Sequence, residues 1–486
     1  MNKKEVKEMS ESVIVEVKEQ PKPSRRKYPY YVEKPPEGNR VAAFLEAFAA
    51  VLNFTDYKSV LDSYCMTKTK CSRCAVACPV YTVTQDSRDI PCYKTSILLD
   101  VYKRYFTLGG WLRSRASAKP FELTEEMIDE MAELFYRCTA CRRCTIECPL
   151  GIDHGLITRL GRYVLSLIGI VPKALQVSVR EQLEGETHNT SKIPKAALIN
   201  TLEFLSEEME ETLGIKVEFP VDKKDREYIF FCAVSDYLLE PDTLMGNAAV
   251  LYAAGDWDKW TIGTGNYDGI NYGLFYSDWY LERIIKQLVN EVSRLKCENI
   301  LMGECGHASR CAHDFVPVFG GRRRYPVMNF IEYTLSCLEK GKINLNPDII
   351  TQKVTYHDPC NIARSGWIVD QPREILKSFA RNFVEMEPHG KNNYCCGGGG
   401  GLVSIDEIHD FRMEVGGYIK AKQIEETGAE IVVSPCANCK KQLRELVEYY
   451  KLPCKVVGLH DLILQVIEIP GGKSPEERKQ MRAEFE

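Results

Sequence analysis

Seven cysteines in two short runs form the clearest chemical pattern in this sequence. The second run has the spacing C-x2-C-x2-C-x3-C-P and consists of Cys138, Cys141, Cys144 and Cys148. In runs of this spacing, three thiolates hold one [4Fe–4S] cluster and the fourth reaches a second cluster. The first run, Cys71, Cys74 and Cys78 before Pro79, repeats the pattern without its first step. Together the two runs predict a pair of cubane clusters.

The missing thiolate of the first run has two candidates. The crossover rule assigns one cluster to Cys138, Cys141, Cys144 and Cys78, and the other to Cys65, Cys71, Cys74 and Cys148. We expect Cys65 because a lengthened loop could supply the missing ligand, and Cys92 is the reserve candidate. Structural zinc is the competing interpretation, but eight cysteines with two Cys-Pro endings fit two iron–sulfur clusters better.

A second constellation lies near the carboxyl terminus and consists of Cys360, Cys395, Cys396, Cys436 and Cys439. Five thiols exceed the needs of one tetrahedral ion, so a larger multi-iron cluster is favoured. Glycines at 397–401 follow the cysteine pair, and we expect Gly397 and Gly398 to let backbone approach the cofactor. The alternatives are a flexible glycine loop with incidental thiols, and a thioredoxin-like dithiol of Cys436 and Cys439.

The composition limits the setting of these sites. With 486 residues and 44% hydrophobic residues, the chain can form several compact domains, and its net charge of -5 gives a nucleic-acid partner no electrostatic support. Neither a signal peptide nor a transmembrane segment is predicted. Because disulfides are rare in the cytoplasm, twenty cysteines in an apparently cytoplasmic chain favour metal ligation.

The hydrophobic patterns predict an α+β multidomain protein. A helical domain that carries two [4Fe–4S] clusters precedes two pseudo-repeated α/β halves, in which cysteines follow predicted parallel strands. The predicted strands are 228–233, 299–302, 354–356, 383–385 and 431–434. The predicted divisions are a flexible arm (1–40), the helical domain (41–180), a connector (181–225), the first half (226–345), the second half (346–468) and a charged tail (469–486).

Three motifs resemble a known family. His357-Asp358-Pro359-Cys360, Cys395-Cys396-Gly397-Gly398-Gly399 and Ser434-Pro435-Cys436-Ala437-Asn438-Cys439 are similar to the CCG domain of heterodisulfide reductases. With the helical module, the chain resembles the D-type polypeptide of these enzymes. The segments 303–308 and 268–273 extend the likeness to heterodisulfide reductase-like subunits of menaquinol-linked membrane complexes, including the K-type polypeptide of dissimilatory sulfite reduction.

The resemblance implies that the five cysteines bind a noncubane [4Fe–4S] cluster and act catalytically in disulfide reduction. In the first half, Tyr267 and Asp268 occupy the place of the double cysteine, so one noncubane cluster is expected. Cys305 and His307 are expected to contact the cofactor or substrate. His307, His313 and His357 are candidate proton donors.

Two functions follow. In the first, the chain is a cytoplasmic, peripherally membrane-associated catalytic subunit. A cytochrome b-type partner oxidises menaquinol, and a disulfide or persulfidated protein or small molecule is the acceptor. In the second, the chain is a non-catalytic electron conduit between a flavin dehydrogenase, of the glycolate, lactate or glycerol-3-phosphate type, and quinone.

Overall fold

The computed structural model describes residues 38–68 and 71–485, with side chains described as far as residue 483. The arm expected at 1–40 lies outside the described residues except for its last three.

The first part of the chain is helical. Thr124 starts one of its helices by accepting a hydrogen bond from the Met127 amide at 3.3 Å. Ile128, Met131 and Phe135 then form the buried face of that helix, at the spacing of successive turns. The helices are α1 Arg40–Phe54, α2 Tyr57–Thr67, α3 Pro79–Thr84, α4 Pro91–Phe106, α5 Leu108–Ala116, α6 Glu125–Tyr136, α7 Arg143–Ile146, α8 His154–Leu167, α9 Lys173–Glu184 and α10 Lys195–Leu213.

The two cysteine runs adopt matching backbone conformations. Ser72 follows Cys71 with φ 53°, and Arg142 follows Cys141 with φ 62°. A 3-10 helix, Arg73–Ala77, follows the first bend, and α7 follows the second. Each run thus turns through a left-handed residue into a short helix.

The remainder contains two parallel sheets with one strand order. The first sheet is ordered β2-β1-β3-β4 and the second β6-β5-β7-β8. All five predicted strands are present, whereas β2, β4 and β8 have two or three residues each and were not predicted. The strands are β1 Tyr228–Phe231, β2 Trp260–Thr261, β3 Asn299–Met302, β4 Val327–Asn329, β5 Val354–Tyr356, β6 Phe383–Val384, β7 Ile431–Val433 and β8 Lys455–Val457.

Helices cover both sheets. They are α11 Val234–Leu238, α12 Pro241–Ala253, α13 Gly273–Tyr276, α14 Asp278–Leu295, α15 Gly306–Phe319, α16 Phe330–Glu339, α17 Gln371–Phe379, α18 His409–Phe411, α19 Tyr418–Thr427, α20 Ala437–Tyr450, α21 Leu459–Val466 and α22 Pro475–Phe485. π-helical turns occur at Asn361–Ser365 and Arg412–Gly416. Among the described residues, no helix is both long and apolar enough to span a bilayer.

The two halves share one hydrophobic core. It contains Phe230 and Trp260 from the first half and Tyr356 and Leu462 from the second. Helices α12 and α21 pack so closely that a Cβ at Gly246 would overlap backbone of α21. The buried leucine face of α10, within the expected connector, belongs to the same core. The expected tail folds back as α22, whose Arg478 is buried and donates to the Ile467 carbonyl.

Candidate metal centres

Four cysteines from both runs line one cavity. Cys78 meets Cys138, Cys141 and Cys144 around a space of about 30 Å³. Cys78 precedes α3, and Cys144 lies in α7, so the two matching turns deliver these thiols from opposite sides. This is the ligand combination that the crossover rule predicts.

The groups around this cavity fit an iron–sulfur cluster. Burial raises the pKa of the Cys78 thiol to about 11 and that of Cys144 well above its usual value. Thiolates there would need a cationic metal core to offset the lost hydration. His154, which also lines the cavity, has Nδ1 2.7 Å from Thr95 Oγ1, and its buried Nε2 has no hydrogen-bond partner among the described residues. A cluster sulfur would provide that partner.

In the second predicted set of cluster ligands, the cysteine that lies beside Cys74 is Cys92 and not the expected Cys65. Cys92, at the start of α4, lies beside Cys74, with which its thiol interacts, and its Sγ is 3.9 Å from Ser72 Oγ. Cys65, on α2, lies instead beside Asp100 and Lys103 of α4. Asp100 is about 12 Å farther along α4 than Cys92, at 1.5 Å per residue. The geometry therefore favours the reserve candidate Cys92.

Cys71 and Cys148 complete this second group. Cys71 is exposed and Cys148 is partly buried. An ion pair of 3.5 Å between Arg73 and Glu147 holds together the short helices that carry the neighbouring cysteines. This group is therefore nearer the surface than the first one.

The five cysteines near the carboxyl terminus converge in one buried site. The Cys395 thiol lies beside those of Cys360 and Cys396 and interacts with both. The sulfurs of Cys396 and Cys439 are 3.5 Å apart, and Cys439 contacts Cys436. Cys360 and Cys436 follow the central strands β5 and β7, at the edge where parallel sheets place their chemistry.

Two further thiols extend this site at its opposite ends. The thiol of Cys141, from the second run, lies beside that of Cys395 and interacts with it. The thiol of Cys305, which precedes α15 in the first half, interacts in the same way with that of Cys436. Cys305 was expected to contact the cofactor, and the structure brings it to the site. A succession of interacting thiols, the thiol path, therefore leads from the first cavity to Cys305.

The glycine run lets backbone from two domains meet beside the cysteine pair. A Cβ at Gly397, which has φ 98°, would come within 2.6 Å of the Gly417 amide nitrogen. The amide of Gly397 donates to Cys395 Sγ at 3.4 Å. A Cβ at Gly399 would approach the Thr139 carbonyl at 2.6 Å, and at Gly398 it would press on Gln442. Only glycine allows the cysteine loop of the helical domain to lie this close.

Buried Glu304 fixes the position of Cys305. It accepts hydrogen bonds from the His460 amide at 2.7 Å and from His460 Nδ1 at 2.6 Å. Its own carbonyl accepts from the Ala437 amide at 3.0 Å, next to Cys436. The loops of the two halves are therefore joined at the thiol pair.

The first half holds no corresponding cysteine group among its described residues. Asp268, at the place of the double cysteine, accepts hydrogen bonds from the amide and hydroxyl of Thr190 at 2.9 and 2.6 Å. Tyr267 donates its hydroxyl proton to the Ile193 carbonyl at 2.5 Å. Cys232 is buried in the core. Tyr267 and Asp268 are thus buried, hydrogen-bonded parts of the fold at the place of the double cysteine.

His307 is buried and neutral. Its Nε2 donates to the Asn271 carbonyl at 2.7 Å, and its ring lies against Tyr272 and Phe275, with centroid distances of 5.7 and 4.2 Å. Burial lowers the pKa of His307 to about 4. A proton-donating role at neutral pH is therefore disfavoured.

The other two histidines differ in position. A ring nitrogen of His357 and the sulfurs of Cys396 and Cys439 all lie within 4.8 Å of one another. His313 is exposed, and its Nδ1 is 3.1 Å from the Asp314 carboxylate. Only His357 of this pair faces the thiols.

Arg162 is a site residue that sequence reasoning missed. Its guanidinium donates to the carbonyls of Cys138 at 2.6 Å, Gly400 at 2.7 Å and Phe275 at 3.3 Å. These carbonyls belong to the helical domain, the second half and the first half, so one buried side chain joins all three. A single arginine in an amphipathic helix carries no signal of this role.

Two more buried cations lie near the five cysteines. Arg364 donates to the Cys141 carbonyl at 2.7 Å and the Asn393 carbonyl at 2.8 Å. Lys420 is 1% exposed and places Nζ 3.6 Å from Met386 Sδ. Burial lowers the pKa of Lys420 to about 8. Both positive charges would favour thiolates in this site.

A helical two-cluster module joined to parallel α/β halves with a five-cysteine site defines an iron–sulfur protein with a CCG domain. The 4Fe-4S dicluster domain family matches residues 64–152, and the CCG family, described as a cysteine-rich domain, matches residues 354–444. No solved structure matches the chain.

Curated relatives narrow this class. The chain is 27% identical to the Hdr-like menaquinol oxidoreductase iron-sulfur subunit 2 of Archaeoglobus fulgidus, over 90% of this chain and 85% of that protein. It is 26% identical to the Hdr-like menaquinol oxidoreductase iron-sulfur subunit of Archaeoglobus profundus, with the same shares. It is 22% identical to the D-type polypeptide of the dihydromethanophenazine:CoB--CoM heterodisulfide reductase of Methanosarcina barkeri, over 82% of this chain and 93% of that protein. The expected likeness to D-type heterodisulfide reductase polypeptides is confirmed, and the chain is an iron–sulfur subunit of the oxidoreductase class.

Proposed function

We propose that this chain is the catalytic iron–sulfur subunit of a menaquinol-linked complex that reduces a disulfide. The contact between Cys141 and Cys395 carries the proposal, because it joins a cubane-type ligand set directly to the five-cysteine site. A conduit to another subunit would have no need for a thiol path that ends inside the chain.

The proposed ligand sets follow the geometry. Cys78, Cys138, Cys141 and Cys144 hold one cubane cluster, and Cys71, Cys74, Cys92 and Cys148 hold the other. The five carboxyl-terminal cysteines hold a noncubane cluster. When bound, these clusters supply single electrons to the disulfide.

The residues of this chain then arrange the chemistry. One disulfide takes two electrons and two protons to give two thiols, and one menaquinol releases that number of each. His357 and Lys420 are the proposed proton-holding groups beside Cys396. Cys305 extends the thiol surface toward the first half, and the cysteine pair beside the glycine loop is buried from solvent.

The proposed setting is the cytoplasmic face of a membrane, where a cytochrome b-type partner oxidises menaquinol. The names of the Archaeoglobus relatives support the quinol link. The acceptor is a disulfide or persulfidated protein or small molecule.

Electron paramagnetic resonance of anaerobically purified protein tests the proposal. We expect about twelve irons, from three four-iron clusters, and an oxidised signal that depends on added thiol. Cys396→Ser should abolish this signal and leave the cubane clusters reducible, whereas Cys454→Ser, outside the thiol path, should change neither. About eight irons without the signal, in a preparation that contains flavin and no haem, would support the electron conduit instead.

A further inference from the structure

Helix α5 carries its large apolar side chains on the outside of the protein. Leu108, Trp111 and Leu112 are 73%, 43% and 54% exposed, and none of the nine residues of the helix is buried. Their spacing of three and four residues places them on one face of the helix. A folded protein ordinarily turns such a face toward its core. The apolar face of α5 is thus left uncovered by the part of the chain that the structure describes.

The opposite face of α5 fixes this orientation. A Cβ at Gly110 would lie 1.6 Å from the Lys103 carbonyl oxygen, so the backbones of α4 and α5 are in close contact there. Thr107 donates to the same carbonyl at 2.7 Å and accepts from the Gly110 amide at 3.1 Å. The ring of Phe106 packs against that of Phe48, with a centroid distance of 5.1 Å. A rotation of α5 that buried its apolar face would break these contacts.

The segment that contains α5 is basic, although the chain as a whole has a net charge of -5. Residues 101–121 include no acidic residue, and their basic residues are Lys103, Arg104, Arg113, Arg115 and Lys119. Arg113, Arg115 and Lys119 are exposed. The Arg115 guanidinium lies over the Trp111 ring, 4.0 Å from its centroid. An apolar strip with cations around it is complementary to a surface that is apolar inside and negatively charged outside.

A phospholipid surface has this combination of properties. Tryptophan and leucine side chains enter the boundary between headgroups and acyl chains, while arginine side chains reach anionic headgroups. The nine residues of α5 extend about 14 Å at 1.5 Å per residue, which is too short to cross a hydrocarbon core of about 30 Å. A helix of this length and composition would lie in the plane of the surface.

We propose that α5 binds the surface of an anionic lipid bilayer and lies parallel to it. The chain would then contact the membrane directly, in addition to any contact through partner subunits. Helix α4, which leads into α5, has 16 residues and carries Cys92 at its start. At 1.5 Å per residue, Cys92 is within about 24 Å of α5. The lipid contact would thus hold the second cubane ligand group near the bilayer. The presence of a quinol-oxidising partner there rests on the proposed function, whereas the binding of α5 to lipid does not.

Flotation of the holoprotein with phospholipid vesicles tests the lipid contact. We expect binding to vesicles of phosphatidylcholine with phosphatidylglycerol, and weaker binding to phosphatidylcholine alone. Arg113→Gln should lower the affinity for the anionic vesicles about fivefold and leave the affinity for neutral vesicles unchanged. Equal affinity of the unmodified protein for both kinds of vesicle would overturn the assignment to anionic lipid.

A pair of leucine variants tests the apolar face. Leu108→Ser/Leu112→Ser should bind anionic vesicles at least about tenfold more weakly, because two side chains that enter the boundary are lost. The matched control is Leu238→Ser/Leu239→Ser, which changes an exposed leucine pair that is followed by Glu240 instead of arginines. This control should bind as the unmodified protein does. All variants are compared at full iron content.

Quenching of tryptophan fluorescence by lipids with brominated acyl chains locates the contact. Trp111→Phe keeps an apolar ring, so it should still float with vesicles but lose the quenching. Trp279→Phe, at a tryptophan of α14 that is 55% exposed beside Asp278, should keep it.

Three results would overturn the proposal. They are absence of flotation with anionic vesicles, equal flotation of the two leucine variants, and quenching that persists in Trp111→Phe. A partner protein that covers α5 in place of lipid would give the first of these results. If the holoprotein binds vesicles but reduces no disulfide, the proposed function fails and the lipid contact stands. If it reduces a disulfide but binds no vesicles, the lipid contact fails and the proposed function stands.

Discussion

Cys141 and Cys395 are separated by more than half of the chain, and their thiols lie close enough to interact. Cys141 lies in the helical domain and Cys395 beside the glycine run of the second half. Arg364 holds the same junction by donating to the Cys141 carbonyl. Electron transfer between the two cluster sites would therefore pass between two neighbouring thiols.

Gly399→Ala should disturb this contact. The added Cβ would lie 2.6 Å from the Thr139 carbonyl, so the loops must separate, at a cost of about 1–3 kcal/mol in the free energy of unfolding. Rapid-freeze paramagnetic resonance should then find slower reduction of the noncubane site after the cubane clusters are reduced. Gly109→Ala is the matched control, because a Cβ there has no neighbour within 4 Å. If the noncubane site were reduced at the same rate in both variants, the loop contact between Gly399 and Thr139 would not contribute to electron transfer.

Cys92→Ser should remove one cubane cluster, which lowers the iron content by about four irons per chain. Cys65→Ser should keep all iron, because Cys65 packs against α4 rather than beside Cys74. Iron analysis with low-temperature spectra of the reduced proteins measures both. Loss of iron from Cys65→Ser alone would restore the original ligand assignment.

Glu304→Ala should destabilise the protein by about 3 kcal/mol, because it leaves a buried histidine and backbone amides without their acceptor. Urea unfolding measures the loss. Glu298→Gln, at an exposed position in the same half, serves as the control and should stay close to the unmodified protein. A similar effect of both substitutions would show that the contact with His460 contributes little.

His307→Gln should leave the pH dependence of disulfide reduction unchanged between about pH 6 and pH 8, since the ring is already neutral there. Its pKa of about 4 is below the ordinary 6.5. The neutral ring therefore stabilises the fold fully above pH 6.5, and this contribution is lost as the pH falls toward 4. Acid unfolding of the unmodified protein should be steeper in this range than that of the variant. If the rate of disulfide reduction by His307→Gln instead lost its dependence on pH in this range, His307 would be identified as a proton donor.

Features encoded by short spacings could be predicted from the sequence. The spacing of the cysteine and glycine runs was enough to predict the grouping of the five carboxyl-terminal cysteines and of Cys78 with the second run. The choice between Cys65 and Cys92 depends on how α2 packs along α4, which spacing does not encode. Strands of two or three residues, such as β2, carry too little periodicity to be recognised.

The role of Arg162 was inaccessible for a related reason. This residue lies on an amphipathic helix, where an arginine is ordinarily a solvated residue. Two of its hydrogen-bond acceptors, the Phe275 and Gly400 carbonyls, are more than a hundred positions away. Only the packing of three separate parts of the chain turns it into a site residue.

Because the two α/β halves share one hydrophobic core, the second half should not fold when it is produced alone. A truncated product containing only residues 346–468 would expose Tyr356 and Leu462 and lose both Glu304 and Cys305. Such a fragment should accumulate in inclusion bodies instead of yielding a minimal catalytic unit. We therefore expect the first half to be required for the folding of the second half, although the first half lacks the double cysteine.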